Sequence, residues 1–148
     1  DLAKQDGIAG YKALSKSTCL SADVSAAYDP TYASAYEAKN SCYINEGVVI
    51  SKYTGHGGKY DTSDASAEYM GKVRALLEKN HVMWQVGELG KVDMGGGGTI
   101  AKYVANMNVD VVDLGVPVLC MHAPFEIVSK IDVYMAYRAF FAFFDDKI

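Results

Sequence analysis

The chain has 148 residues, half of them hydrophobic and 22% charged, with a formal net charge of −4. That is long and apolar enough for one domain with a real core, and it excludes a disordered chain. No basic run is present to neutralise a phosphate backbone, and the most apolar stretch, VYMAYRAFFAFF, is too short to span a bilayer and is interrupted by Arg138. Nucleic acid and membrane are therefore not expected partners.

In chain order, residues 8–16 (IAGYKALSK) have helical spacing and end a helix. Residues 18–24 (TCLSADV) read as a short strand with a polar end, and residues 25–46 as an irregular or partly helical connection. The β-branched content of residues 47–53 (GVVISKY) predicts a strand, followed by a glycine-rich loop over residues 54–62. Ser63 is expected to cap a helix over residues 65–80, where Ala67, Met70, Val73, Leu76 and Leu77 recur at helical spacing and Asn80 suits the end. Residues 81–87 (HVMWQVG) read as a strand, residues 88–98 (ELGKVDMGGGG) as a loop, and residues 99–107 (TIAKYVANM) as a short helix. Two further strands follow, VDVVDLG and PVLCMH. Pro124 is placed in the first turn of a last helix that runs to about Phe144, with Glu126 facing its N-terminus. Strands alternating with helices predict an α/β domain with a layered sheet. No repeat or linker divides it.

Cys19, Cys42 and Cys120 are far apart and form no C-x-x-C pair, so a zinc ribbon or a thioredoxin motif is excluded. Free thiols in a reducing cytosol are the expectation, and a cytoplasmic location with it. The opening residues carry no signal-peptide pattern, and a start at Asp1 instead of Met leads us to expect that sequence precedes it.

Gly95 to Gly98 form the loudest local signal. A Walker A loop needs Lys and Ser or Thr after its last glycine, and here Thr99 and Ile100 follow. Gly96, Gly98 and Ala101 fit the relaxed dinucleotide fingerprint G-x-G-x-x-A with Asp113 downstream, but the polar ELGKVDM separates them from the preceding strand. A tight backbone passage beside another loop or a ligand is the preferred reading. Asp23 and His122 each stand at a strand end, where α/β sheets bind ligands, and they are of the types that bind zinc. Taken alone, either is as readily a turn residue or a core histidine. His56 reads as a solvated loop residue and His81 as a helix-end residue.

Four stretches in this order, LSADVSAAYDP, TSDASAEY, GELGKVDMGGGGTIAKY and DLGVPVLCMHAPFE, resemble the C-terminal part of the M18 metallo-aminopeptidases, the aspartyl aminopeptidase family, in its bacterial branch. The resemblance implies part of a three-layer αβα peptidase domain with a central mixed sheet. Residues 1–148 would be the C-terminal portion of the catalytic domain, without the N-terminal half of the site or the dimerisation domain. It implies a di-metal zinc aminopeptidase acting on peptides and assembling as a homo-dodecamer. Asp23, in the SAD motif, and His122, in the MH motif, would be metal ligands. The other ligands and the catalytic glutamate would lie upstream, leaving the isolated chain inactive.

Lys52, Tyr60, Gly97 and Thr99 are the candidate substrate contacts. Ala26 and Ser51 occupy the positions of the His and Lys with which aspartate-selective members hold an acidic side chain, so a neutral or broad preference is expected as readily as an acidic one. The alternative is a non-catalytic, self-associating fragment of such an enzyme.

Overall fold

The computed structural model describes residues 2–57 and 59–146. Two short helices, α1 (Leu2–Gln5) and α2 (Gly10–Leu14), lead into strand β1 (Thr18–Ser21). Then come β2 (Ser25–Ala26), a 3-10 segment over Pro30–Ala35, β3 (Val48–Ser51) and β4 (Gly55–His56). The long helix α3 (Ala67–Lys79) precedes β5 (Trp84–Val86), β6 (Gly96–Gly97) and the short helix α4 (Ala101–Ala105). The chain ends with β7 (Asp110–Gly115), β8 (Pro117–Leu119), β9 (Ile127–Val128) and helix α5 (Lys130–Asp145).

The central sheet has the order β1-β7-β3-β5 and is mixed: β1 runs parallel to β7, β3 antiparallel to β7, and β5 parallel to β3. The α/β class and the central mixed sheet match the expectation. Strand alternation sends Leu20, Val48, Ile50, Val112 and Leu114 to one face, where they pack against Tyr69, Val73 and Leu77 of α3 and Ala139 of α5. Each such side chain contributes about 1.5–3 kcal/mol when fully buried. The opposite face carries Val49 in a smaller cluster with Ala27 and Cys42, and by the same alternation it also carries Asp113 and Ser51.

Three helix and strand limits differ from those the sequence predicts. Residues 63–65 pair with residues 52–54 through Thr54 N to Ser63 O (3.2 Å) and Ala65 N to Lys52 O (2.8 Å), so the cap falls on Ser66, whose hydroxyl accepts from Tyr69 N (3.1 Å). Pro124 does not begin α5. Residues 127–128 first pair with β8, and the cap is Ser129, whose hydroxyl accepts from Ile131 N (3.2 Å). The fully buried Asp132 then pins this first turn, accepting from Asn45 N (2.8 Å) and Gly47 N (2.9 Å). The strand predicted to reach His122 stops at Leu119, because Cys120 adopts φ +58°.

The strand predicted over TCLSADV is broken. β1 pairs Thr18–Ser21 with Asp110–Asp113, and β2 resumes with Ser25 and Ala26 opposite Pro117 and Val118. The pairing resumes in the same register, so residues 22–24 make a local excursion and not a slip. Gly115 makes the excursion possible: a Cβ there would lie 1.4 Å from the Asp23 carbonyl oxygen. Gly115→Ala is therefore expected to destabilise the protein by about 3 kcal/mol, the upper end for overpacking. Gly98→Ala, where no atom lies within 4 Å of the new Cβ, is expected to stay within about 0.5 kcal/mol of the parent. Denaturant unfolding of both variants checks the contrast.

Candidate functional site

The excursion over residues 22–24 carries Asp23 out of the ladder. Its Oδ1 accepts from the adjacent Val24 N (2.8 Å), a local side-chain-to-backbone bond that orients the carboxylate at the mouth of a pocket. Gly98, Thr99, Ile100 and Tyr103 form the rest of the lining, together with the stem of Lys102. The Lys102 ammonium is paired with Asp61, so the pocket keeps an acid and loses its cation.

Thr99 links this pocket to the sheet. Its hydroxyl donates to Asp113 Oδ2 (2.9 Å), accepts from Ala101 N (3.3 Å) at the start of α4, and lies 3.5 Å from Thr54 Oγ1. Asp113 is buried in β7, and burial pushes its carboxyl up from the ordinary aspartate range. The Ser21 and Thr99 hydroxyls oppose that shift, and the Asp23 charge adds to it.

Of the four glycines, Gly95 and Gly96 form the tight passage read from the sequence, whereas a Cβ on Gly98 would meet no atom within 4 Å and that residue is not part of it. Gly96 has φ +112°, and a Cβ on it would lie 1.9 Å from the Gly55 carbonyl oxygen. Gly97 pairs with Gly55, and Gly96 with His56, in a two-stranded ribbon. No dinucleotide arrangement results: Gly96 leaves a ribbon instead of the central sheet, and Asp113 is bonded to Thr99.

His122 sits in the loop over residues 120–126, which joins the antiparallel β8 and β9. Its φ is +67°, its side chain is exposed, and its backbone N–H donates to Glu126 Oε1 (2.6 Å). Glu126 thus serves the His122 turn and not the α5 N-terminus.

Lys52 is paired with Asp64, whose second oxygen takes Lys59 at 2.5 Å. Tyr60 is 70% exposed and stands edge-on to His56, with ring centroids 5.4 Å apart. Of the residues singled out from sequence, Asp23 and Thr99 line one pocket, with Gly97 just before it in the chain. Lys52 and Tyr60 belong to the β4 side of the ribbon, and His122 to its own hairpin. Among the described residues, no group of three or more His, Cys, Asp or Glu side chains is placed to hold a metal ion. No helix of the described chain is long and apolar enough to cross a membrane.

Sequence reasoning gave no weight to two carboxylates. Asp113 entered it only as the acid of a dinucleotide fingerprint, although a charge between Val112 and Leu114 in an apolar strand was the available signal. Glu88 follows β5 and lines a small cleft with Tyr53, Thr54, Gly55 and Gly96. Burial pushes its carboxyl up to about 7, against the Lys52 backbone N–H and the Lys59 charge.

The sequence matches the family described as aminopeptidase I zinc metalloprotease (M18) over residues 2–144. It is 49% identical over 135 residues to a probable M18 family aminopeptidase 1 of Borrelia garinii, covering 91% of this chain and 30% of that protein. The fold is similar to the crystal structure of aminopeptidase I from Clostridium acetobutylicum, with a TM-score of 0.90 and 47% identity over 96% of this chain and 31% of that one. It is also similar to an M18 aminopeptidase structure from Thermotoga maritima, with a TM-score of 0.88 and 43% identity over 94% of this chain and 32% of that one. The chain spans about a third of the length of these relatives.

The state of Glu88 gives a stability prediction. Between the unfolded value near 4.5 and the folded value near 7, the folded protein holds a proton that the unfolded chain has released. Its contribution is therefore largest below pH 4.5 and is lost as the pH rises through 7. Glu88→Gln should leave the melting temperature unchanged near pH 4 and raise it by about 2–4 °C at pH 8. Thermal unfolding across that range checks the sign.

Proposed function

This chain belongs to the M18 family of aminopeptidase I zinc metalloproteases, and we propose that it is the C-terminal portion of the catalytic domain of an aminopeptidase that removes N-terminal residues from peptides. The observation that carries the reading is Asp23, held out of the parallel ladder by Gly115 and set at the mouth of the Thr99 pocket, within a fold shared with M18 aminopeptidases. In this reading Asp23 and His122 are metal ligands. Their carboxylate and imidazole are the donor types zinc takes, but a catalytic zinc site needs three protein donors. The chain's own residues fit as part of a site and not as a whole one. The remaining ligands and the general base belong to the sequence that the relatives carry beyond the matched third.

Zinc, bound as two ions, would supply a polarised carbonyl and a water of lowered pKa. This chain's residues do the positioning. Asp23 presents a carboxylate already oriented by the Val24 amide. Gly97 offers the substrate a side-chain-free backbone, and Thr99 a hydroxyl oxygen whose proton is held by Asp113. Lys52 is held by Asp64, and Ser51, which donates to the Gly87 carbonyl (2.9 Å), stands where aspartate-selective members have lysine. Neither supplies a free cation for an acidic side chain, and this favours neutral substrates. Tyr60 is a peripheral contact. The proposal includes a cytoplasmic homo-oligomer. A self-associating, non-catalytic fragment is the second reading, favoured by the exposed Tyr134, Tyr137 and Phe141 on α5.

Calorimetric zinc titration and aminoacyl-anilide hydrolysis test the proposal. The whole protein should bind zinc and turn over substrate, and Asp23→Ala or His122→Ala should each abolish stoichiometric binding of one ion. The isolated chain should do neither, since loss of the general base alone lowers turnover by about 10²–10⁴. Submicromolar zinc binding by the isolated chain, lost on changing Asp23 and His122, would show a complete site where we read a partial one.

A further inference from the structure

Asp113 stands where the strands part. Its register partners are Ser21, the last residue of β1, and Ser51, the last residue of β3. At this level one neighbour departs towards Asp23 and the other towards Thr54. The polar row Ser21–Asp113–Ser51 therefore crosses the sheet where its flanks open, the kind of place where open α/β sheets bind ligands.

Ser51 is committed to the Gly87 carbonyl, and Asp113 commits Oδ2 to Thr99. Oδ1 is buried without a hydrogen bond of ordinary geometry, and the nearby Ser21 hydroxyl offsets only part of the cost of that burial. An unmatched buried carboxylate oxygen is costly. A neutral Asn would cost less to bury but would give Thr99 only a neutral, weaker acceptor, so a structural hydrogen bond alone does not account for the acid.

What the carboxylate adds is direction and strength. It fixes the single Thr99 proton in a charge-assisted bond, which turns the Thr99 lone pairs to the Ala101 N–H and the Thr54 side. Thr99 ends the glycine ribbon, opens α4 and faces Asp23 across the pocket. We propose that Asp113 is a positioning residue of the peptidase reaction, acting through Thr99 to set the glycine ribbon and the first turn of α4 against Asp23. The inference rests on the peptidase reading above, and the carboxylate itself need touch neither substrate nor metal.

The test is a double-mutant cycle in the whole protein, with zinc content and melting temperature measured for each variant. Thr99→Val should lose about 10²-fold in kcat, the scale of a misplaced site, and Thr99→Ser, which keeps the hydroxyl, should recover at least tenfold of that loss. Asp113→Asn should lose at least tenfold in kcat, with KM and zinc content near wild type. The double variant Thr99→Val/Asp113→Asn should be no slower than Thr99→Val alone, because Asp113 acts only through the hydroxyl that Thr99→Val has already removed.

Equal losses in Thr99→Ser and Thr99→Val, or losses that multiply in the double variant, would overturn the inference while leaving the peptidase reading intact. A wild-type whole protein that hydrolyses no aminoacyl-anilide would overturn both. Should Asp113→Asn fail to fold, Asp113→Glu, which keeps the carboxylate but displaces it, takes its place in the cycle and is judged by the same non-additivity with Thr99→Val.

Discussion

A backbone carbonyl resting on a bare α-carbon sets the geometry of the site. With Gly115 at its position, the Asp23 carbonyl can sit where any other residue would put a Cβ, and the parallel ladder of β1 and β7 can open and close again in one register. The opening takes Asp23 off the sheet. It also ends β1 at the level of Asp113, which leaves that carboxylate beside the crevice and within reach of Thr99. Cα crowding is a harder constraint than any single hydrogen bond here, because relieving it requires moving two strands of a close-packed sheet.

Most cations around the crevice are paired off, Lys52 and Lys59 with Asp64 and Lys102 with Asp61, whereas Lys91, which lines the Glu88 cleft, is in none of the ion pairs of the described residues. These pairs are largely exposed, and each contributes at most about 1 kcal/mol to stability. Their larger effect is on the field, since Asp23, Asp113 and Glu88 have no ion-pair partner among the described residues. Burial resists the charge on Asp113 and Glu88 and holds their carboxyls above the ordinary range. The Asp23 pocket, whose one lysine is neutralised by Asp61 and whose acid is retained, is suited to cationic guests, which agrees with the zinc metalloprotease family.

The sequence was informative wherever local chemistry decides. The periodicity of α3 is legible from Val73, Leu76 and Leu77, and the strand character of β3 from Val48, Val49 and Ile50, because both are set by residues close together in the chain. Gly96 was read as a close backbone passage, and the Gly55 carbonyl is what it passes. The misses lie where distant segments compete. Ser63 loses the α3 cap to Ser66 because residues 63–65 pair with residues 52–54. Pro124 loses α5 to Ser129 because β9 lies between them, paired with β8, and Asp132 anchors the turn to residues 45 and 47. Asp113 was nearly invisible, since its importance comes from Ser21, Ser51 and Thr99, each remote in sequence.

The central claim is that Asp23 and His122 meet the same metal centre once the whole polypeptide is assembled. Zinc-edge anomalous diffraction from crystals of the whole protein measures this directly. The account predicts anomalous peaks about 2.0–2.2 Å from an Asp23 carboxylate oxygen and from a His122 ring nitrogen, as zinc bonds require. Zinc peaks ligated by other residues, with both of these side chains free of metal, would contradict it.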